Sequence, residues 1–223
     1  MRKASSSDIT NRPLIEQIAS FGKPIILSTG ASHIWEIEEA LDWIRPYSVS
    51  VMLLHCILNY PTKDINANLG MIKDLSRRFP DNLIGYSDHT SHEITGALAF
   101  SQGAQIIEKH LTFSNELEGP DHQASLNPEN FKTFISNIRY AQEVKGDKKK
   151  LLTKEEKEVR NVARKSLVFS KDLKKGTKIT LNDIDAMRPA SGLNINEINK
   201  VLNKIVLKNV KETELIKLKD LKD

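Results

Sequence analysis

The feature that most constrains the fold is a repeated alternation along the first two thirds of the chain. A short apolar run is followed by a turn, and then by apolar residues spaced three and four apart. Pro24, Ile25, Ile26 and Leu27 form a buried run that ends at Ser28-Thr29-Gly30, a strand leading into a turn. Ile34, Ile37, Leu41 and Ile44 then share one helical face, and Pro46 stops that helix. Residues 50–56 read as a second strand, apolar on both faces as parallel strands covered by helices are. The loop 59–64 leads to a second helix with Leu69, Ile72, Leu75 and Phe79 inward. Residues 83–87 form the next strand, and Ile94, Ala97 and Leu98 mark a helix closed by Gly103. Residues 105–110 are a further strand, and after a long loop a helix carries Phe131, Phe134, Ile135, Ile138 and Ala141. Strands recurring with a helix between them demand right-handed βαβ crossovers, and hence a parallel sheet.

Length and charge bound what surrounds that sheet. A complete (β/α)₈ barrel takes roughly 250 residues by itself, so 223 residues do not hold a typical one together with another domain. Yet the charges divide the chain in two. Residues 1–144 carry 12 Lys and Arg against 17 Asp and Glu; residues 145–223 carry 21 against 12, and all six histidines lie in the first part. The border falls near residues 146–150, Gly-Asp-Lys-Lys-Lys. With 39% hydrophobic and 28% charged residues the chain is neither disordered nor collagenous. No apolar run approaches membrane-spanning length, and the first eight residues lack the apolar core of a secretory signal, so no membrane partner is expected. The single cysteine, Cys56, excludes an intramolecular disulfide or a cysteine-rich zinc site and fits a reducing cytoplasm. In the basic tail the lysines alternate with acids and Phe169 is the only aromatic. That reads as a solvated face, with no nucleic acid as partner.

Polar residues collect where the strands end. Ser28, His55, Ser87, Asp88, His89, Glu108 and His110 all fall at or just beyond C-terminal strand ends, the edge at which parallel α/β folds bind ligands. Hydroxyls next to helix N-termini favour an anion, with phosphate the first choice. His89 and His110 can share a divalent metal; each taken alone reads rather as a hydrogen-bonded structural histidine, and their pairing at equivalent strand ends, with Glu108 nearby, turns the reading toward the metal. His55, inside Leu53-Leu54-His55-Cys56, reads as structural and Cys56 as packing.

An ordered series of short motifs then resembles the sialic acid synthase (N-acetylneuraminate synthase) family. The series runs from residues 23–30 (KPIILSTG) to Leu54-His55-Cys56 with Asn59-Tyr60-Pro61, and on to Gly85-Tyr86-Ser87-Asp88-His89-Thr90. It continues with Ile107-Glu108-Lys109-His110 and Gly119-Pro120-Asp121-His122, and Ser7-Asp8-Ile9-Thr10-Asn11 fits just upstream. Downstream, Ala163-Arg164-Lys165-Ser166-Leu167, Asp172-Leu173-Lys174-Lys175-Gly176 and Met187-Arg188-Pro189 with Gly192-Leu193 resemble the antifreeze-like (SAF) domain of the same family. The resemblance implies an incomplete (β/α)₈ TIM-type barrel of about the last five units over residues 1–145, a linker at 146–160, and a β-rich SAF domain at 161–223.

The resemblance also implies a chemistry: condensation of phosphoenolpyruvate with an N-acetylated aminosugar to a nine-carbon 2-keto acid, with release of phosphate. His89 and His110 match the ligands of a Mn²⁺ or Mg²⁺ ion that polarises the sugar aldehyde. Lys3, Ser6, Ser28 and Ser87 match the phosphoenolpyruvate grip, and Glu108 matches a carboxylate near metal and substrate. Tyr60 and Asp121 match sugar contacts. Arg188 matches an arginine that reaches the site of the partner copy in a homodimer. Two departures stand out. The position matched to a phosphate-contacting asparagine holds Leu58, with Asn59 one step on. The family's first three or so βα units, which carry a general acid/base glutamate, precede the segment beginning at Lys3. The expectation is therefore a weakly active or inactive chain on its own, or alternatively a non-catalytic module that binds a sugar or a partner.

Overall fold

The computed structural model describes every residue except Pro120 and Lys148, so those members of the 119–122 motif and of the border run lie outside the described residues. The chain divides into two compact units, Met1–Lys148 and Lys149–Asp223.

In the first unit five strands form one parallel sheet in sequential order: β1 (Arg2–Ala4), β2 (Ile25–Ser28), β3 (Val51–Cys56), β4 (Leu83–Asp88) and β5 (Ile107–Lys109). The register pairs Lys3 with Ile26, Ser28 with Leu54, Cys56 with Ser87, and Ser87 with Glu108, so the strands end nearly in line. Helices α1 (Arg12–Ser20), α2 (Ile34–Ile44), α3 (Gly70–Arg78), α4 (Thr95–Gln102) and α5 (Pro128–Lys145) alternate with them.

The α2 helix begins where the Glu36 carboxylate accepts the His33 backbone N–H at 2.7 Å, and it buries Ile37, Ala40 and Ile44. Each such isoleucine contributes about 1.5–3 kcal/mol of transfer free energy. The core runs from Ile15 and Ala19 through Ile25, Leu27 and Leu53 to Ile72, Ile84 and Tyr86. In α4 the buried residues are the small Thr95, Gly96, Ala97 and Ala99, while Ile94 and Leu98, two of the three apolar residues that mark this helix in the sequence, are exposed. Phe134 of α5 takes that space: a Cβ on Gly96 would stand 2.5 Å from its ring.

In the second unit helix α6 (Lys154–Ala163) occupies part of the stretch expected to be linker, opened by a reciprocal cap between Thr153 and Glu156. Two antiparallel ladders follow, β6 (Ser166–Phe169) with β7 (Ile184–Met187), and β8 (Ile205–Val206) with β9 (Leu221–Lys222). Their core is Leu167, Phe169, Leu173, Ile179, Val201, Val206, Val210, Ile216 and Leu221.

Candidate active site

The C-terminal ends of β1 to β5 surround a cavity of about 220 Å³ lined by Lys3, Ser6, Ser28, Cys56, Leu58, Tyr60, Ser87, His89, Glu108 and His110, among others. Strand alternation explains the set. With one end of the ladder in line, every second residue (Ser28, Ser87 and then His89, Glu108 and then His110) turns to the same face. Gly30 closes the floor. A Cβ there would come within 2.9 Å of both Cys56 Sγ and Ser6 Oγ, so only glycine lets the β2 turn approach them. The Gly30 N–H donates to Ser6 Oγ at 2.9 Å.

One polar network crosses the cavity. Lys3 Nζ donates to Ser28 Oγ at 2.9 Å and to Glu108 Oε1 at 2.8 Å, and Ser87 Oγ donates to the same carboxylate oxygen at 2.6 Å. Burial pushes the Glu108 carboxyl up. The bonds from Lys3 and Ser87 and the charges of Lys3 and His110 outweigh it and hold the group below the usual carboxylate range, hence ionised near neutral pH.

The imidazoles are the second element. His89 Nδ1 lies 2.8 Å from the Ile57 carbonyl, which can only accept, so this nitrogen carries the proton. Ser87 Oγ, 3.5 Å from His89 Nε2, has already given its one proton to Glu108. Among the described residues nothing claims the Nε2 lone pair. Burial lowers the His89 pKa, with the neighbouring His110 adding to it against the bond to Ile57, which keeps the ring neutral. His110 stands edge-on to His89 with centroids 5.3 Å apart, and Tyr60 lies 4.0 Å from the His89 ring and 5.5 Å from that of His110. Burial, and then the nearby charges of Cys56, Asp121 and Glu108, raise the Tyr60 hydroxyl.

Lys3, Ser6, Ser28, Ser87, His89, Glu108, His110 and Tyr60 are thus brought to one cavity. Asp121 is exposed beside it, near enough for its charge to act on Tyr60. Asn59 is not brought in. It is exposed, its N–H and carbonyl serve the turn through Ile57 O and Thr62 Oγ1, and its neighbours Leu58 and Tyr60 line the cavity instead. Arg188 belongs to the second unit, exposed just past β7, where its Nε donates to the Ala163 carbonyl at 2.9 Å.

Cys56, read as packing, is a wall of the cavity, 3.5 Å from Ser6 Oγ and 3.7 Å from His89 Nδ1, and burial raises its thiol. Its place at the end of a strand two residues after Leu54 was the available signal. His55 is buried, bonded to the Ala67 carbonyl at 2.8 Å and stacked on Tyr86, as a structural histidine would be. Among the described residues no group of three or more His, Cys, Asp or Glu side chains is arranged to hold a metal. The His89–His110 pair fits an ion that takes two protein nitrogens and fills its remaining positions with oxygens from elsewhere.

A parallel α/β unit with a hydroxyl-, lysine- and imidazole-lined cavity at its C-terminal strand edge, followed by a small β-rich unit, defines a class of two-unit α/β proteins with a candidate ligand site at that edge. Within that class the chain belongs to the NeuB family: residues 1–150 match it, and residues 164–222 match the SAF domain. It is similar to proteins named N,N'-diacetyllegionaminic acid synthase, 40% identical over 218 residues in Campylobacter jejuni and 37% over 205 residues in Legionella pneumophila. These matches cover 96% and 90% of this chain, and it spans 65% and 57% of the lengths of those relatives. It is also similar to the crystal structure of an N-acetylneuraminic acid (sialic acid) synthetase from Leptospira borgpetersenii in complex with citrate. That likeness is 34% identical with a TM-score of 0.66, over 70% of this chain and 55% of that one. No helix among the described residues is long and apolar enough to cross a membrane.

Proposed function

We propose that this chain carries the phosphate-gripping and metal-binding part of a sialic-acid-type synthase, which joins phosphoenolpyruvate to an N-acetylated aminosugar and releases phosphate. The observation that carries this reading is the meeting of Lys3, Ser28, Ser87 and Glu108 with His89 and His110 around one cavity. The five-stranded sheet is read as part of an eight-unit barrel, since among the described residues β1 and β5 each pair on one side only.

Lys3, with the hydroxyls of Ser6, Ser28 and Ser87, binds the phosphate and carboxylate of phosphoenolpyruvate. Its ammonium, held by Glu108 and Ser28, is already aimed at the cavity, so little side-chain entropy remains to be lost. His89 and His110 hold Mn²⁺ or Mg²⁺, which when bound polarises the sugar aldehyde toward attack by the enol carbon. The proton on His89 Nδ1 stays with Ile57, leaving Nε2 as the ligand atom. Glu108, ionised, fixes Lys3 and Ser87 and stabilises positive charge developing on the enol-derived carbon before water adds and phosphate leaves. Tyr60 and Asp121 flank the sugar, and Arg188 serves the site of a partner copy in a homodimer. General acid/base work falls to the part of the relatives that this chain does not match. Because both legionaminic acid synthases stand close in identity, a diacetamido sugar is favoured over N-acetylmannosamine as acceptor.

The test is phosphoenolpyruvate binding to the 223-residue chain, followed by calorimetry. Lys3→Ala and Ser87→Ala each weaken it by about tenfold or more, as loss of a charge-assisted bond of 1.5–3 kcal/mol requires. Binding that neither substitution changes contradicts the reading. Phosphate release by these residues alone is slow, since a missing acid/base costs about 10²–10⁴-fold; a normal enzymatic rate would overturn that part.

A further inference from the structure

Asp88 and Lys109 are register partners at the last rung of the β4–β5 ladder, and each immediately precedes one of the two histidines. Alternation turns them away from the cavity, toward the helix layer, where Lys109 Nζ lies 5.6 Å from the centroid of the Phe134 ring. Their side chains are 0% and 1% exposed and their charges meet at 3.1 Å between Nζ and Oδ2. Asp88 Oδ2 has no aligned hydrogen bond among the described residues and rests on that charge. Oδ1 accepts three bonds, from Tyr86 OH at 3.2 Å and from Thr90 N and Thr90 Oγ1, both at 2.8 Å. Lys109 Nζ also donates to the Thr90 carbonyl. His89 is therefore clamped on both sides, by Asp88 before it and Thr90 after it, and Lys109 joins that clamp to the residue before His110.

Both histidines lie one residue beyond the ladder. On their outer sides the His89 carbonyl takes Thr62 N at 2.7 Å, and the His110 carbonyl takes Leu126 N at 3.1 Å. Between the two ends, the Asp88–Lys109 pair and the Lys109–Thr90 bond join the residues that flank the histidines, one rung beyond the Ser87–Glu108 bond. A buried ion pair is a poor source of stability compared with apolar packing of the same volume. A pair of fixed length and direction is, however, suited to setting a spacing. We infer that Asp88 and Lys109 are positioning residues that fix the separation of His89 and His110 for a divalent cation. This rests on the reading of the two histidines as a metal pair.

The experiment is a Mn²⁺ titration of the full 223-residue chain, followed by the electron paramagnetic resonance of the free ion, with thermal unfolding in parallel. The native chain binds Mn²⁺, and His89→Ala and His110→Ala do not. The double variant Asp88→Asn/Lys109→Met removes both charges together, so no buried ion is left unpaired. It folds and binds Mn²⁺ about 10–100-fold more weakly, the range typical of groups that orient metal ligands. Ile72→Val, in the same core, lowers the unfolding temperature but leaves Mn²⁺ affinity within about twofold. A double variant that binds like the native chain, or one that fails to fold, overturns the inference by making the pair structural. Absence of Mn²⁺ binding by the native chain instead contradicts the metal reading itself.

Discussion

The two units bury polar side chains for different purposes. Among the described residues the first buries twelve polar or charged residues as a whole, and seven of them, Ser28, Thr29, His55, Ser87, Asp88, His89 and Thr90, sit at or near the C-terminal ends of β2 to β4. The second buries two, Ser166 and Asp183, and both close turns. Ser166 Oγ donates to the Pro189 carbonyl and accepts the Gly192 N–H, and Asp183 caps the turn at Thr180. Burying polar groups is costly unless each is satisfied. One unit concentrates that cost at a single edge, as a binding site does; the other spreads little of it through an apolar core.

The sharpest way to break this contrast is Asp88→Asn alone. It leaves the Lys109 ammonium buried and unpaired, and costs about 3–5 kcal/mol. Hydrogen exchange shows the loss in the first unit while the second keeps its protection; equal loss in both units contradicts the contrast. A smaller effect follows from Gly85→Ala. The new Cβ meets Leu54 Cδ2 and comes within 2.6 Å of the Ile106 carbonyl, backbone that cannot swing away. About 1–3 kcal/mol of overpacking results, read as a lower denaturant midpoint. Wild-type stability would show that β4 and β5 are not packed as described.

In the second unit the effect is a pH dependence. The bond from Lys171 at 2.7 Å, then those from Thr180, hold the Asp183 carboxyl down from 3.8 to about 2. A depressed folded pKa means stability that is present above pH 3.8 and fades as pH falls through about 2. Asp183→Asn abolishes that acid dependence and costs about 1–3 kcal/mol at neutral pH. An unchanged acid profile would show that the carboxylate is not held as the geometry indicates.

How much of this was legible from residues alone depends on what each element buries. β2 to β5, α2 and α3 were, because runs such as Ile25-Ile26-Leu27 and the Ile34, Ile37, Ile44 spacing report buried faces directly. Helix α6 was not. It buries no residue, so it has no apolar stripe to read, and only the Thr153–Glu156 cap betrays it. The existence of α4 was legible from Ile94, Ala97 and Leu98, but its buried face was not: Gly96 carries no hydropathy signal, and it is the ring of Phe134, 38 positions away in the chain, that makes a small residue necessary there. At the site, Ser28, Ser87, His89, Glu108 and His110 were legible from strand-end position. The Asp88–Lys109 pair was not, since alternation assigns a residue to a face without saying which charge meets it across the ladder. Asn59 failed for a related reason: spacing in a turn does not decide whether Leu58 or its neighbour points inward.

If the lysine–serine grip and the histidine pair serve one cavity, a bound Mn²⁺ and a bound phosphate lie side by side there. The direct measurement is the ³¹P resonance of phosphoenolpyruvate in the presence of the chain and Mn²⁺. Strong paramagnetic broadening is expected with the native chain, lost when His110→Ala removes the ion and reduced when Lys3→Ala weakens the hold on the phosphate. Mn²⁺ and phosphoenolpyruvate both bound, with no broadening beyond that caused by free Mn²⁺, would place them in separate sites and contradict the single shared cavity.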